Sequence, residues 1–413
     1  MTLLSIAWLI AALLLFLTLS QAACVKYYLV ALSRDMRAVK PRTFQPDVSV
    51  VLCLRGCDPS LDACLDSILD QQYDNYQVVC VLDSEKDPAY QLVRRLQDHP
   101  RLRIEIAEPK ADNRSLKCNS LIHVFQDIQS PITVLVDADA VVDRHWLADL
   151  VAPLESDGVV ASSANRWFLP PIMELGSNVR HFWNLAAAPQ MFAYQVTWGG
   201  SLALDTDFVR ASGILDAWSK SLFEDATVRG FAKKQGKRVV MLPSLLIPNS
   251  ESISLKSASG WIRRQLLDTK LYHACFSGVV AHAFLVSGTL LATVIILPWL
   301  LFNAAWFESG IVGGAFLLFG LFYYWAWKRL ESSARQAIQS RGHVTDSPTS
   351  EGVRACCAIL LTQLVYLLAV LRAIFVRTVQ WRGIEYEVSG PQQIKMKEYL
   401  PMREQIGQGN ESI

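Results

Sequence analysis

"PITVLVDADAVVD", Pro131 to Asp143, decides how the chain is read. Its apolar, β-branched run reads as a strand. The run then meets two aspartates one residue apart, Asp137 and Asp139. A strand that ends in acids is either a solvated polar end or a site for a hard cation, and the stretch alone leaves both open.

The surroundings repeat one rhythm. "VSVVLCL" (48–54) reads as a buried strand and "SLDACLDSILDQQY" as a helix with apolar residues at 61, 64, 65, 68 and 69. "YQVVCVLD", "PAYQLVRRLQ", "LRIEIAE", "SLKCNSLIHVFQ" and "ITVLVD" continue the alternation. Such βαβ repetition predicts an α/β domain with a largely parallel sheet and its ligand at the carboxyl ends of the strands. Asp83 ends the second strand, and Asp137 and Asp139 end the fourth. GxGxxG and GxxxxGK[ST] are both missing, which speaks against dinucleotide and P-loop sites.

In this frame the acids acquire chemistry. Asp137 and Asp139 can share Mg²⁺ or Mn²⁺, which take oxygen ligands and sit between carboxylates and phosphates. Lys117 and Asn119 open the preceding helix, where a lysine and a helix N-terminus both favour a diphosphate. "WGGSLALDTDFV" supplies Trp198, Gly199 and Gly200, the glycines allowing close backbone approach. Glu224 and Asp225 precede a helix, where acids also serve as ordinary N-terminal charge partners. "SGWIRRQLLDTKLYH" is basic and amphipathic. Its Arg263, Arg264 and Lys270 suit an anionic pocket or lipid headgroups.

The chain has 413 residues, a formal net charge of +1 and 52% hydrophobic residues. The near-zero charge gives no sign of nucleic-acid binding. Nine cysteines lack paired CxxC spacing and read as small buried hydrophobes rather than as a metal cluster of Cys53, Cys57 and Cys64. Leu3 to Ala23 is uncharged and long enough to span a bilayer, which takes about 20 residues. The flank after it carries Lys26, Arg34, Arg37, Lys40 and Arg42 against Asp35, which predicts that the chain beyond this anchor is cytoplasmic. Val279–Phe302 and Ser309–Trp327 read as a membrane hairpin closed by "KR" at 328–329. Ala355–Phe375 is a third apolar run. A full crossing there would place Arg377 and Arg382 outside, so a re-entrant or interfacial path stays open.

Taken in order, "LRGCDPSL", "VLDSEKDPA", "LKCNSL", "VDADAVV", "FEDATV" and "QWRGIEY" (380–386) resemble a membrane-bound family-2 glycosyltransferase of the ceramide glucosyltransferase type. The resemblance covers roughly Asp47 to His273 and the flanking spans. It implies a GT-A (Rossmann-like) catalytic domain, a UDP-sugar donor and a lipid acceptor at the bilayer. It assigns Asp83 to the nucleotide, with Lys117, Asn119 and Glu224 on the donor side. Asp137 and Asp139 would bind metal and diphosphate, Asp139 as the direct ligand, and Asp225 would be the general base. Arg264 takes the arginine of the family's Gln/Arg-x-x-Arg-Trp motif. The chain departs there, reading Trp261-Ile-Arg-Arg264-Gln265, so Trp261 stands in place of the usual flank. On the acceptor side, Trp198, Gly199, Gly200, His181 and Trp261 are the candidates, with 169–196 expected to form an interfacial helix beside an acceptor groove.

The implied division is an anchor over 1–30 and a catalytic domain over 45–250. An acceptor-side segment over 251–278, membrane segments over 279–376 and a tail over 377–413 complete it. The catalytic domain is expected on the cytoplasmic face of a bacterial inner membrane, or of the ER or Golgi. Two other functions remain open: a polysaccharide synthase, and a catalytically silent membrane scaffold that binds nucleotide or lipid.

Overall fold

A computed structural model describes residues 2–38, 42–172, 174–348 and 352–402. Lys40 and the last part of the expected tail lie outside the described residues. The chain opens with α1 (Leu3–Arg37) and then alternates: β1 (Val48–Leu54), α2 (Leu61–Leu69), β2 (Tyr76–Leu82), α3 (Pro88–Arg94), β3 (Leu102–Ile106), α4 (Leu116–Asp127), β4 (Ile132–Val136). Next come α5 (Trp146–Val151), β5 (Val159–Phe168), α6 (Leu175–Tyr194), β6 (Ser201–Asp205), α7 (Thr206–Ala211), α8 (Ile214–Trp218), α9 (Asp225–Lys234) and β7 (Arg238–Asn249). The last part holds α10 (Leu255–Tyr272), α11 (Phe276–Phe302), α12 (Trp306–Ser340), α13 (Gly352–Phe375), β8 (Thr378–Trp381), β9 (Ile384–Gly390) and β10 (Gln393–Met396).

Strands β1 to β7 form one sheet in the order β3-β2-β1-β4-β6-β5-β7. β6 runs antiparallel to both neighbours and the other pairings are parallel. The expected α/β domain is therefore present, its sheet mixed by one reversed strand. Both faces of the sheet are covered, which explains the unbroken apolar runs. Val50, Leu52, Val78, Cys80, Val134 and Val136 pack into one core, and Val51, Val79, Val81 and Leu135 into a second. The alternation within each strand sends neighbours to opposite sides.

The reversal of β6 matters for position. Parallel β1, β2 and β4 end at one edge of the sheet, delivering Arg55, Asp83 and Asp137 there. β6 begins at that same edge, delivering Trp198, Gly199 and Gly200. The ends of β5 and β7 add Arg166 and Asn249.

Among the described residues four helices are long and apolar enough to cross a membrane: α1, α11, α12 and Cys357–Phe375 within α13. Their outward faces carry exposed Trp8, Phe16, Leu19, Leu291, Ile295, Leu318 and Leu321, as a lipid-facing surface requires. α1 and α12 are longer than the apolar runs that predicted them. The second half of α1 packs Val25, Tyr28 and Leu32 against Trp167, Leu246, Phe182 and Trp327, so both helices rise from the apolar bundle onto the catalytic domain.

The third apolar run lies within α13. The chain just before it is tied to the catalytic domain by Arg341, paired with Asp143 at 2.6 Å and Asp149 at 3.0 Å, and by Ser347 on the Pro170 carbonyl. The chain just after it returns to the same domain through Arg382 and Asp58. The segments on both sides of α13 thus bond to the same α/β domain. Lys270 caps its end, Nζ donating to the carbonyls of Ala373 and Ile374, and this lysine does not line the cleft described below.

The segment 169–196 departs from its expectation. α6 is buried along most of its length between β5, α1, α10 and α13, rather than lying open as an interfacial wall. Its mixed composition reflects partners on several sides.

Candidate active site

A cleft of about 890 Å³ opens at the carboxyl edge of the sheet, roofed by α10 and by the hairpin of β8 and β9. Asp83, Lys117, Asp137, Asp139, Trp198, Glu224, Asp225, Trp261 and Arg264 all line it. These residues come from distant segments, and the fold gathers them.

Lys117 is the hinge of the charge arrangement. Ser115 caps α4 and sets Lys117 in its first turn. Its Nζ lies 2.8 Å from Asp137 Oδ1 and 2.7 Å from Glu224 Oε1. Burial alone would lower its pKa, but Asp137, Glu224 and Asp225 hold it well above the usual lysine value. Burial would raise Asp137, yet Lys117 and then Arg166 keep it below the ordinary carboxylate range. Asp139 is raised, first by burial and then by the adjacent Asp137 charge. One Asp139 oxygen accepts from Asn249 Nδ2 at 3.0 Å. Burial pushes Glu224 up to about 7, opposed by Lys117 and reinforced by Asp225.

Asp225 is held by its backbone surroundings. Oδ2 accepts the Gly199 N–H at 2.8 Å and Oδ1 the Ala226 N–H at 2.9 Å. Burial raises its pKa, with Lys117 and the two N–H donors pulling it back. Glu224 does not cap α9 with its side chain, so the pair is more than helix-end charge. Trp218 fixes the turn beneath: its indole N–H donates to the Glu224 carbonyl at 2.9 Å.

The glycines serve this arrangement rather than an acceptor. A Cβ on Gly199 would meet Glu224 Oε1 at 2.1 Å, and one on Gly200 would meet the Trp198 ring at 2.1 Å and Asp137 Oδ2 at 2.6 Å. Neither glycine lines the cleft. Two more expected site residues also lie outside it. Asn119 spends its amide on the carbonyls of Ala107 and Glu108 and its oxygen on Arg114, pinning α4 to the end of β3. His181 bonds the Phe168 carbonyl at 3.1 Å and Glu331 at 3.2 Å, tying α6 to α12. Buried histidine and asparagine are satisfied by structural partners that no local pattern announces.

Several residues of the cleft stand outside the motif-based expectation. Arg166 stacks over Trp198 at 4.7 Å and Trp261 at 5.4 Å. Burial, then Arg166 and Arg382, lower Arg264 to about 10. Arg55 pairs with Asp83 and donates to the carbonyls of Arg382 and Leu400. Arg382 grips Asp58 with two bonds at 2.8 and 2.7 Å. It sits at φ 48° beside Gly383 at φ 77°, in a hairpin turn where an arginine is strained by about 1–3 kcal/mol. "LRGCDPSL" and "QWRGIEY" thus meet across more than 300 residues of chain. That meeting was the available signal for Asp58 and Arg382.

The donor set suits a divalent cation. Two neighbouring half-buried carboxylates, one of them raised by desolvation and then by the charge of the other, leave room for phosphate oxygens to complete the coordination. Among the described residues no three His, Cys, Asp or Glu side chains converge on a metal position, so any ion would take ligands from a bound substrate as well.

Known proteins share parts of this chain. The model of glycosyl transferase family 21 matches residues 8–394. Ceramide glucosyltransferase 1 of Caenorhabditis elegans is 27% identical over 128 residues, a stretch that spans 30% of this chain and 27% of that relative. Among solved structures, a mannosyltransferase of Pyrobaculum calidifontis in complex with GDP-Man and Mn²⁺ is 18% identical, with a TM-score of 0.48 over 89% of this chain and 99% of that one. A glucosyl-3-phosphoglycerate synthase of M. tuberculosis is 14% identical, with a TM-score of 0.36 over 55% of this chain and 81% of that one.

Proposed function

The chain belongs to glycosyl transferase family 21, and on that premise we propose that it is an inverting glycosyltransferase that moves a sugar from a nucleotide donor to a membrane-lipid hydroxyl. The observation that carries this reading is the convergence of Asp83, Lys117, Asp137, Asp139 and Asp225 in one cleft roofed by α10. Glucose from UDP-glucose is the donor to test first, and an N-acylated amino alcohol such as ceramide the first acceptor, because the matched relative is a ceramide glucosyltransferase.

In this proposal Asp83 takes the nucleotide. Asp137 and Asp139 would hold Mg²⁺ or Mn²⁺ beside the diphosphate, and the ion would supply charge neutralisation for the leaving group. Lys117 and Arg264 add fixed positive charge near the same oxygens. Asp225 takes the proton from the acceptor hydroxyl as that oxygen attacks the anomeric carbon. Displacement from the opposite face turns an α-linked donor into a β-glycoside. Trp198 and Trp261 form the acceptor wall. α1, α11 and α12 hold the cleft at the bilayer, on the cytoplasmic face where the basic flank of α1 would place it.

Arg382 joins the donor side: it feels Asp137 and Asp139 and is displayed on a strained turn. Arg382→Ala is expected to raise the donor KM about tenfold or more, the scale of one lost charge-assisted contact. An unchanged donor KM would confine Arg382 to its pairing with Asp58.

The function itself is tested by extracting lipids from cells that express the chain. A new glycolipid supports the proposal. A secreted or soluble polymer favours a polysaccharide synthase, and no product with any donor favours a silent scaffold.

A further inference from the structure

Asp268 has no role in the proposed transfer. It lies four residues beyond Arg264 on α10, so both side chains share one face of that helix, and both line the cleft. Arg264 feels Asp137 and Asp139, whereas Asp268 feels Asp225 and Glu224. α10 therefore turns a cation toward the metal-binding acids and an acid toward the proposed base. Asp268 has no hydrogen-bond or ion-pair partner among the described residues, and its Oδ1 is buried. Its helix neighbours Leu266, Leu267 and Leu271 are core residues. A carboxyl oxygen buried without a partner costs stability, and the packing around it does not call for one. A group of that kind aimed into a substrate cleft finds its partner on the substrate.

We propose that Asp268 orients the acceptor by hydrogen-bonding a second polar group beside the hydroxyl that Asp225 deprotonates, and that the acceptor headgroup is neutral. The inference rests on reading Asp225 as the base. Asp268 feels the charges of Asp225 and Glu224, so an anionic headgroup bound beside it would face like charge. Burial, then the charges of Asp225 and Glu224, push the Asp268 carboxyl well above the ordinary range against the pull of Lys117. A protonated carboxyl both donates and accepts. Its complement is a vicinal diol or an N-acyl amino alcohol. A plain fatty alcohol lacks the second group, and a lipid phosphate carries the wrong charge.

The test uses the purified full-length protein in lipid nanodiscs. Acceptor KM is measured with a short-chain ceramide, a 1-monoacylglycerol and a plain long-chain alcohol, for wild type, Asp268→Ala and Asp268→Asn. UDP binding of every form serves as the check on folding. Asp268→Ala should raise the acceptor KM for the first two probes about tenfold or more and erase their advantage over the plain alcohol, with donor KM unchanged. Asp268→Asn keeps a donor and an acceptor in place and should stay within about threefold of wild type, a cost under 1 kcal/mol. The proposal is overturned if Asp268→Ala keeps the preference, if wild type shows none, if a lipid phosphate is the better acceptor, or if Asp268→Asn is as inactive as Asp225→Asn. Should the alanine variant fail to accumulate, the asparagine variant with the same three probes decides. Full turnover in Asp225→Asn would instead sink the base assignment on which the inference rests.

Discussion

Asp225→Asn is expected to lower sugar transfer by roughly 10²–10⁴-fold, the usual contribution of a general base, while UDP binding stays within about twofold of wild type. Asparagine fills the same space and its oxygen can still accept the Gly199 N–H. It cannot take a proton. Burial keeps the Asp225 pKa raised, which brings a carboxylate nearer to the range where a base works at neutral pH. Near-normal turnover in this variant would show that another group removes the proton.

Asp139→Ala is expected to abolish the dependence of donor binding on Mg²⁺ or Mn²⁺, with a loss of donor affinity of about tenfold or more in the presence of either ion. Asp139 is the cleaner of the two acids to test. Asp137 is bonded to Lys117, so its removal would leave a buried cation with one partner fewer and mix a stability loss with a binding loss. Asp139 has one bond to Asn249 and a charged neighbour that opposes its ionisation, a conflict a cation would relieve. Donor titrations by calorimetry, with and without the ion, decide the matter. Equal metal-dependent binding in wild type and Asp139→Ala would return "VDADAVV" to a strand with a polar end.

Much of this arrangement was legible in the sequence where the signal was local. β1 and β4 follow from unbroken apolar runs, because a sheet covered on both faces needs no polar alternation. Asp83, Asp137 and Asp139 were placed by the rule that parallel strands present their ligands at their carboxyl ends. The signal failed where partners are distant. β6 reads like any other strand, and only pairing with β4 and β5 reverses it. Asn119 was a candidate through its place in "LKCNSL" at a helix start and His181 through its place in 169–196, yet their partners include the carbonyls after β3 and Glu331. The tail looked like an appendage. Its hairpin is short, and it gains its place by packing Tyr386, Val388 and Ile394 against Leu116, Leu222 and Leu267. α13 has the length and hydropathy of a span, and nothing local in the sequence announces that the segments flanking it bond to the α/β domain.

In the proposed reaction one cleft transfers the sugar of a nucleotide donor to a lipid hydroxyl by single displacement at the anomeric carbon, with Asp225 taking the proton and the nucleotide diphosphate leaving. The anomeric configuration of the product reports on that step directly. Purified protein would be supplied with UDP-glucose labelled with ¹³C at the anomeric carbon and with short-chain ceramide, and the lipid-linked sugar read by the one-bond and vicinal couplings in its NMR spectrum. Single displacement predicts a β-glucoside. An α-glucoside, formed with retention, would contradict it.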